Sequence, residues 1–210
     1  MDGFRKIAEG AEASVYAGRL LGRAVILKDR ARKRYRIREI DGALRRQRTR
    51  SEARILHMAS SHGIRVPRVV LVEGTRLYME MVDGTALRDI VNGEKSNGPV
   101  RTYSTMRSSG ELAARLHGIG VSHGDLTPAN MMVDRRGELW LIDFGLAETS
   151  CSPEGMALDI LLMKRAVPKE LYSAFLSGYR RHSASHSAVL ERLAEIERRG
   201  RYQTRTLMAD

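Results

Sequence analysis

A single cysteine, Cys151, stands in 210 residues. One cysteine excludes an internal disulfide and any metal cluster built on several thiolates, so the residue reads as a small inert side chain. Long apolar runs are missing too. None reaches the roughly 18–20 residues that cross a bilayer, and the opening MDGFRKIAEGAEA has no apolar core for a signal peptide. These two absences predict a cytoplasmic chain without membrane contact. Aromatic residues make up only 5%, too few for a platform on which bases would stack, so any nucleic acid would be gripped through its phosphates. Acidic residues are also in short supply, 25 against 36 Lys and Arg, which gives a net charge of +11. Such a charge attracts polyanions by counterion release, and RNA is the commonest of them inside cells. The basic residues cluster, in DRARKRYRIREIDGALRRQRTRSEAR and again in the terminal ERRGRYQTRTLMAD.

What is present falls into two styles. Up to about Val82, short β-branched runs (FRKIAE, SVYAGRL, RAVILKD, RVVLVEG, RLYMEMV) alternate with Gly-containing turns and predict strands. One long helix interrupts them, from about Ala43 to His62, with Leu44, Ile55, Leu56 and Ala59 able to share a face and arginines covering the other. Gly63 and Pro67 break it. Beyond Val82 the pattern turns helical: TALRDIV, a loop at GEKSNGPVR, a helix from Tyr103 to Leu116 weakened by Gly110, and GMALDILLMKR, KELYSAFLSGYRR and SAVLERLAEIERR towards the end. Two short strands, NMMV and LWLID, sit among them. The division expected is 1–82, 83–199 and a basic tail over 200–210, in an α+β chain of two lobes sharing a cleft.

The chemistry lies in two loops. In VSHGDLTPANMMV, Asp125 and Asn130 stand five positions apart after an apolar segment; such a loop can present a carboxylate to a hydroxyl nucleophile and an amide oxygen to a metal. In WLIDFGLAE, apolar residues deliver Asp143 into a Phe-Gly turn, where it can offer oxygen to Mg²⁺, a cation that takes few carboxylates and fills its shell with water and phosphate. Converging oxygen groups of this kind suit phosphoryl transfer, which needs positioning and charge neutralisation. Lys28 ends the apolar run AVIL, and its compact charge suits ATP phosphates once a helix carboxylate holds it. Glu52 is the natural partner, with Glu39 as competitor.

The order of these parts resembles the eukaryotic-type protein kinase superfamily. Its glycine loop aligns with Ile7, Ala8, Glu9, Gly10, Ala11, Glu12, Ala13, Ser14 and Val15, with one glycine kept of three and alanine small enough for backbone N–H groups to approach phosphate. The resemblance implies a bilobal kinase fold with a small antiparallel-sheet N-lobe and a reduced helical C-lobe. It implies ATP in the cleft, Asp125 as catalytic base, Asn130 and Asp143 as Mg²⁺ ligands, and backbone groups of Glu80 and Val82 for adenine. Departures narrow it. The loop reads His123-Gly124-Asp125, without the arginine that usually pairs with an activation-loop phosphate; no APE follows, and 65 residues remain after Gly145. Together with GAEA, RTRSEARIL, the helix carrying Asp159 and the terminal RRGR, these features resemble the kinase subunit of the KEOPS complex. That resemblance implies a Ser/Thr kinase and ATPase, partnered by the tRNA threonylcarbamoyltransferase subunit and other KEOPS subunits. It implies support for threonylcarbamoyladenosine formation in tRNAs reading ANN codons, with Arg199 and Arg201 near tRNA or the ATP site. Small-molecule kinases of the aminoglycoside and choline type share HGDxxxxN but add helical insertions, and RIO-type kinases carry an N-terminal helical region; both stand as rivals. A catalytically inactive binding subunit is opposed by the filling of every phosphate-handling position. Asp125→Ala and Asp143→Ala are each expected to abolish ATP turnover with the fold intact by circular dichroism; wild-type turnover in either variant would sink these roles.

Overall fold

The computed structural model describes residues 3–10, 12–33, 35–95, 99–149 and 152–206. Ala11 of the nucleotide loop, Cys151 and residues 207–210 of the expected tail lie outside the described residues. The chain forms two compact units, Met1–Gly84 with Met132–Leu146, and Thr85–Met131 with Ala147–Asp210. The expected boundary near residue 82 is contiguous, whereas 132–146 belongs with the first unit, which places Asp143 in the same unit as Lys28.

In the first unit a five-stranded antiparallel sheet carries β1 (Arg5–Glu9), β2 (Ala13–Leu20), β3 (Arg23–Arg30), β4 (Val69–Glu73) and β5 (Arg76–Glu80), in the order β1-β2-β3-β5-β4. The β2–β3 hairpin runs in unbroken register from Ala13 opposite Arg30 to Leu20 opposite Arg23. It closes at Leu21 and Gly22 with φ of +50° and +78°, the paired positive angles whose twist matches that of the flanking strands. Helix α1 (Arg38–Ser61) starts five residues before the expected Ala43. Its early turns are secured by Asp41, buried, which accepts the Lys33 N–H at 3.2 Å and the Arg45 Nε at 2.8 Å. Burial alone would push the Asp41 carboxyl up; those two donors and the nearby positive charge outweigh it and hold it below the usual carboxylate value. Ile55, Leu56 and Ala59 then bury one face of α1, which packs on β4 and β5.

The second unit is helical: α2 (Leu87–Val91), α3 (Pro99–Gly118), α4 (Pro153–Ala166), α5 (Lys169–His182) and α6 (His186–Thr206). Pro99 opens α3, so part of the expected loop GEKSNGPVR is helix; proline is tolerated there because the first-turn N–H groups have no partner anyway. Helix α6 likewise runs on through Thr206, into the stretch assigned to a tail. Three short strands, β6 (Gly84–Ala86), β7 (Met131–Asp134) and β8 (Leu139–Leu141), form a second sheet in that order, and the chain passes between its units within β6, within β7 and after Leu146.

Gly110, which weakens the sequence pattern, is what α3 needs. A Cβ there would stand 1.9 Å from the Phe175 carbonyl oxygen of α5, and a Cβ on Gly178 of α5 would stand 1.9 Å from the Arg107 carbonyl oxygen of α3. The two helices touch backbone to backbone at reciprocal glycines. Propensity alone makes Gly→Ala stabilising by roughly 1 kcal/mol in a helix. Here the sign reverses: Gly178→Ala should cost about 1–3 kcal/mol through overpacking, read as a lower urea midpoint, and an unchanged or raised midpoint would refute the close crossing.

Candidate active site

On β3, side chains alternate, so residues 28 and 30 share a face. Both are cations, and both are buried: Lys28 is 7% exposed and Arg30 4%. They converge on Glu52 of α1, itself 2% exposed. Lys28 Nζ lies 2.7 Å from Glu52 Oε1, and Arg30 Nη2 lies 2.5 Å from Glu52 Oε2. Lys28 Nζ also lies 2.5 Å from Asp143 Oδ1. Of the two carboxylates open for Lys28, Glu52 takes the place, while Glu39 is exposed on the first turn of α1. Arg30 was not singled out from the sequence, because the strand pattern ends at Asp29 and Arg30 reads with the basic tract. The signal available was its spacing, two residues after Lys28.

Asp143 adopts φ of +59°, uncommon for any residue but glycine, though Asp tolerates it better than most. Its side chain is 53% exposed, and Oδ1 accepts the Gly145 N–H at 3.2 Å. A Cβ on Gly145 would approach Lys28 Nζ to 3.0 Å and Asp143 Oδ1 to 3.1 Å, so the turn keeps the ammonium and the carboxylate uncrowded only because it has no side chain. In the expected nucleotide loop, Ile7, Ala8 and Glu9 end β1, Ala13, Ser14 and Val15 begin β2, and the Gly10 N–H closes the turn on the Ala13 carbonyl at 2.9 Å. Glu12 is pinned to α1 by Arg48 Nη1 at 2.5 Å, while Glu9 pairs with Lys6 at 2.7 Å. The Glu80 N–H is taken by the Arg68 carbonyl at 2.9 Å, and Val82 is half-buried.

In the second unit, the loop after α3 carries Asp125 and Asn130. The Asn130 Nδ2 donates to Asp125 Oδ2 at 2.8 Å and to the Asp125 carbonyl at 2.9 Å, which leaves the amide oxygen as the atom to offer a cation. The loop itself hangs on Asp159, a fully buried residue of α4. Its carboxylate accepts the His123 N–H at 2.6 Å and the Gly124 N–H at 2.9 Å. His117 Nε2 stands 3.1 Å from the same carboxylate, and its Nδ1 stands 2.8 Å from the Tyr179 hydroxyl. With Nε2–H donated to Asp159, Nδ1 accepts from Tyr179. Asp159 was legible only as part of a family pattern; nothing in sequence spacing ties it to His123, 36 residues earlier. Arg199 is exposed on α6, and the Arg201 side chain lies outside the described residues.

Within the first unit the donor types suit Mg²⁺ and phosphate: a hard oxygen on Asp143, an ammonium on Lys28 and a side-chain-free turn at Gly145.

Residues 24–164 match the RIO domain family. The Rio2 kinase of Chaetomium thermophilum, solved as an ADP/Mg²⁺–phosphoaspartate complex, superposes with a TM-score of 0.66 at 17% identity, over 96% of this chain and 72% of that one. The chain is therefore a RIO-domain, kinase-like protein, so the RIO kinases set apart above as rivals are its own class. The KEOPS complex subunit Bud32 of Pyrococcus abyssi is 37% identical over 217 residues, covering 95% of this chain and 97% of that protein. This chain belongs to the Bud32 family. A probable bifunctional tRNA threonylcarbamoyladenosine biosynthesis protein of Methanothermobacter thermautotrophicus is 38% identical over 205 residues, 93% of this chain, which spans 36% of that longer protein.

Asp159→Asn should lower stability by about 1–3 kcal/mol, since the amide cannot accept all the donors that the carboxylate satisfies, and should lower ATP turnover with it. Urea unfolding and phosphate release check both; a variant unchanged in the two would remove Asp159 as the loop's anchor.

Proposed function

We propose that this chain is an Mg-ATP-dependent serine/threonine phosphotransferase and ATPase that works within a KEOPS assembly in support of threonylcarbamoyladenosine formation in tRNA. The observation that carries the reading is the buried Lys28–Glu52 pair with the half-exposed Asp143 on the same ammonium, which sets a cation for phosphate beside an accessible oxygen for Mg²⁺. Lys28 would neutralise phosphate oxygens, and Asp143 and Asn130 would hold Mg²⁺, which supplies positive charge against the phosphates. Asp125, fixed by Asn130, would orient the attacking hydroxyl or water and take its proton as the γ-phosphorus–oxygen bond to the leaving nucleotide breaks. Lys28, Asp125 and Asp143 are all present in the sequence, which speaks against an inactive binding subunit.

The relatives' names support the assembly: one is a KEOPS complex subunit and another a tRNA threonylcarbamoyladenosine biosynthesis protein. Charge supports contact with tRNA. On α1, Arg46, Arg50 and Arg54 are exposed at four-residue spacing, a row able to follow phosphates. Phosphate release from Mg-ATP should rise when the threonylcarbamoyltransferase partner and tRNA are both supplied, and the tRNA effect should fade as salt rises. Efficient phosphorylation of proteins by the chain alone, indifferent to tRNA, would make it a free-standing protein kinase instead.

A further inference from the structure

We propose that Arg30 is a positioning residue that holds Glu52 independently of Lys28, so that the lysine can share its ammonium with phosphate without leaving a buried carboxylate undercompensated. The proposal rests on the Mg-ATP reading above. Glu52 has a different cation on each oxygen. Lys28 lies between two carboxylates, Glu52 and Asp143. When its ammonium turns to phosphate, Glu52 Oε1 loses part of its compensation at a site where an unpaired charge is strongly destabilising. With Lys28 as the sole cation, α1 would be tied to β3 only as firmly as the lysine stays put. Arg30 removes that dependence.

Arg30 is itself fixed. Its N–H donates to the Thr75 carbonyl at 3.3 Å, and its carbonyl accepts from Arg45 Nη1 of α1 at 3.1 Å. Its guanidinium also faces the nucleotide loop, with Nη1 4.0 Å from Glu12 Oε2, the oxygen that Arg48 holds. Thus one buried arginine stands between the helix carboxylate and the loop carboxylate. Charge points the same way. Lys28 and Arg30 balance Glu52 and Asp143; without Arg30 the cluster is net negative and repels an incoming phosphate.

The test compares full-length wild type, Lys28→Met, Arg30→Met and Arg30→Lys. The readouts are Mg-ATP affinity by calorimetry and, without nucleotide, hydrogen exchange of α1 around Glu52. Lys28→Met should weaken Mg-ATP binding yet keep α1 protected, because Arg30 still holds Glu52. Arg30→Met should both speed exchange in α1 and weaken Mg-ATP binding about tenfold, and Arg30→Lys should restore most of each. If Arg30→Met does not fold, Arg30→Gln, which keeps a donor for Glu52 without the charge, makes the same comparison. The proposal is overturned if α1 loosens as much in Lys28→Met as in the Arg30 variant, if affinity is unchanged when Arg30 is replaced, or if lysine fails to rescue. Absence of Mg-ATP binding by the wild type would overturn the functional reading instead, while exchange in α1 would still report on Arg30.

Discussion

A carboxylate almost sealed from water is the constraint on which the first unit is built. Glu52 carries a cation on each oxygen, and the two come from one strand, two residues apart. That pairing sets how α1 lies on the sheet, because the helix must bring Glu52 over residues 28 and 30 while Ile55, Leu56 and Ala59 bury their apolar surface. It also aims the ammonium of Lys28 at Asp143. Apolar packing supplies most of the driving force; the charges supply the alignment, since a misplaced buried charge costs far more than a misplaced methyl group.

The second unit solves a similar problem with hydrogen bonds. Asp159 gathers two backbone N–H groups and an imidazole, so the loop bearing Asp125 is held from behind by a buried acid. In both units the sealed carboxylate organises, and a more accessible one, Asp143 or Asp125, is the one the proposed chemistry would use. The helices behind the loop are drawn tight where Gly110 and Gly178 let backbone meet backbone.

Much of this was legible in the sequence. Strand patterns ending in Lys28 and Asp143, and a loop holding Asp125 and Asn130, are local signals, because polar residues at the ends of apolar runs are costly unless used. Glu52 could be chosen over Glu39 because Ile55 and Leu56 lie one turn further along the same helix. Arg30 was hidden by its neighbours: within DRARKRYR it looks like surface charge, and only the register of β3 reveals that it points inward. His117 and Asp159 were hidden by distance, their roles arising where separate helices pack. The early start of α1 escaped because a run of arginines conceals periodicity, and what secures the first turns is a single buried aspartate.

The backbone at Asp143 has one more consequence. At φ of +59° glycine would sit with less strain than any side-chain-bearing residue. A search that rewarded heat resistance alone would therefore tend to erase Asp143, and would discard the half-exposed carboxylate beside Lys28 in doing so. At this turn durability and the proposed chemistry ask for different amino acids, and the chain carries the one that the proposal needs.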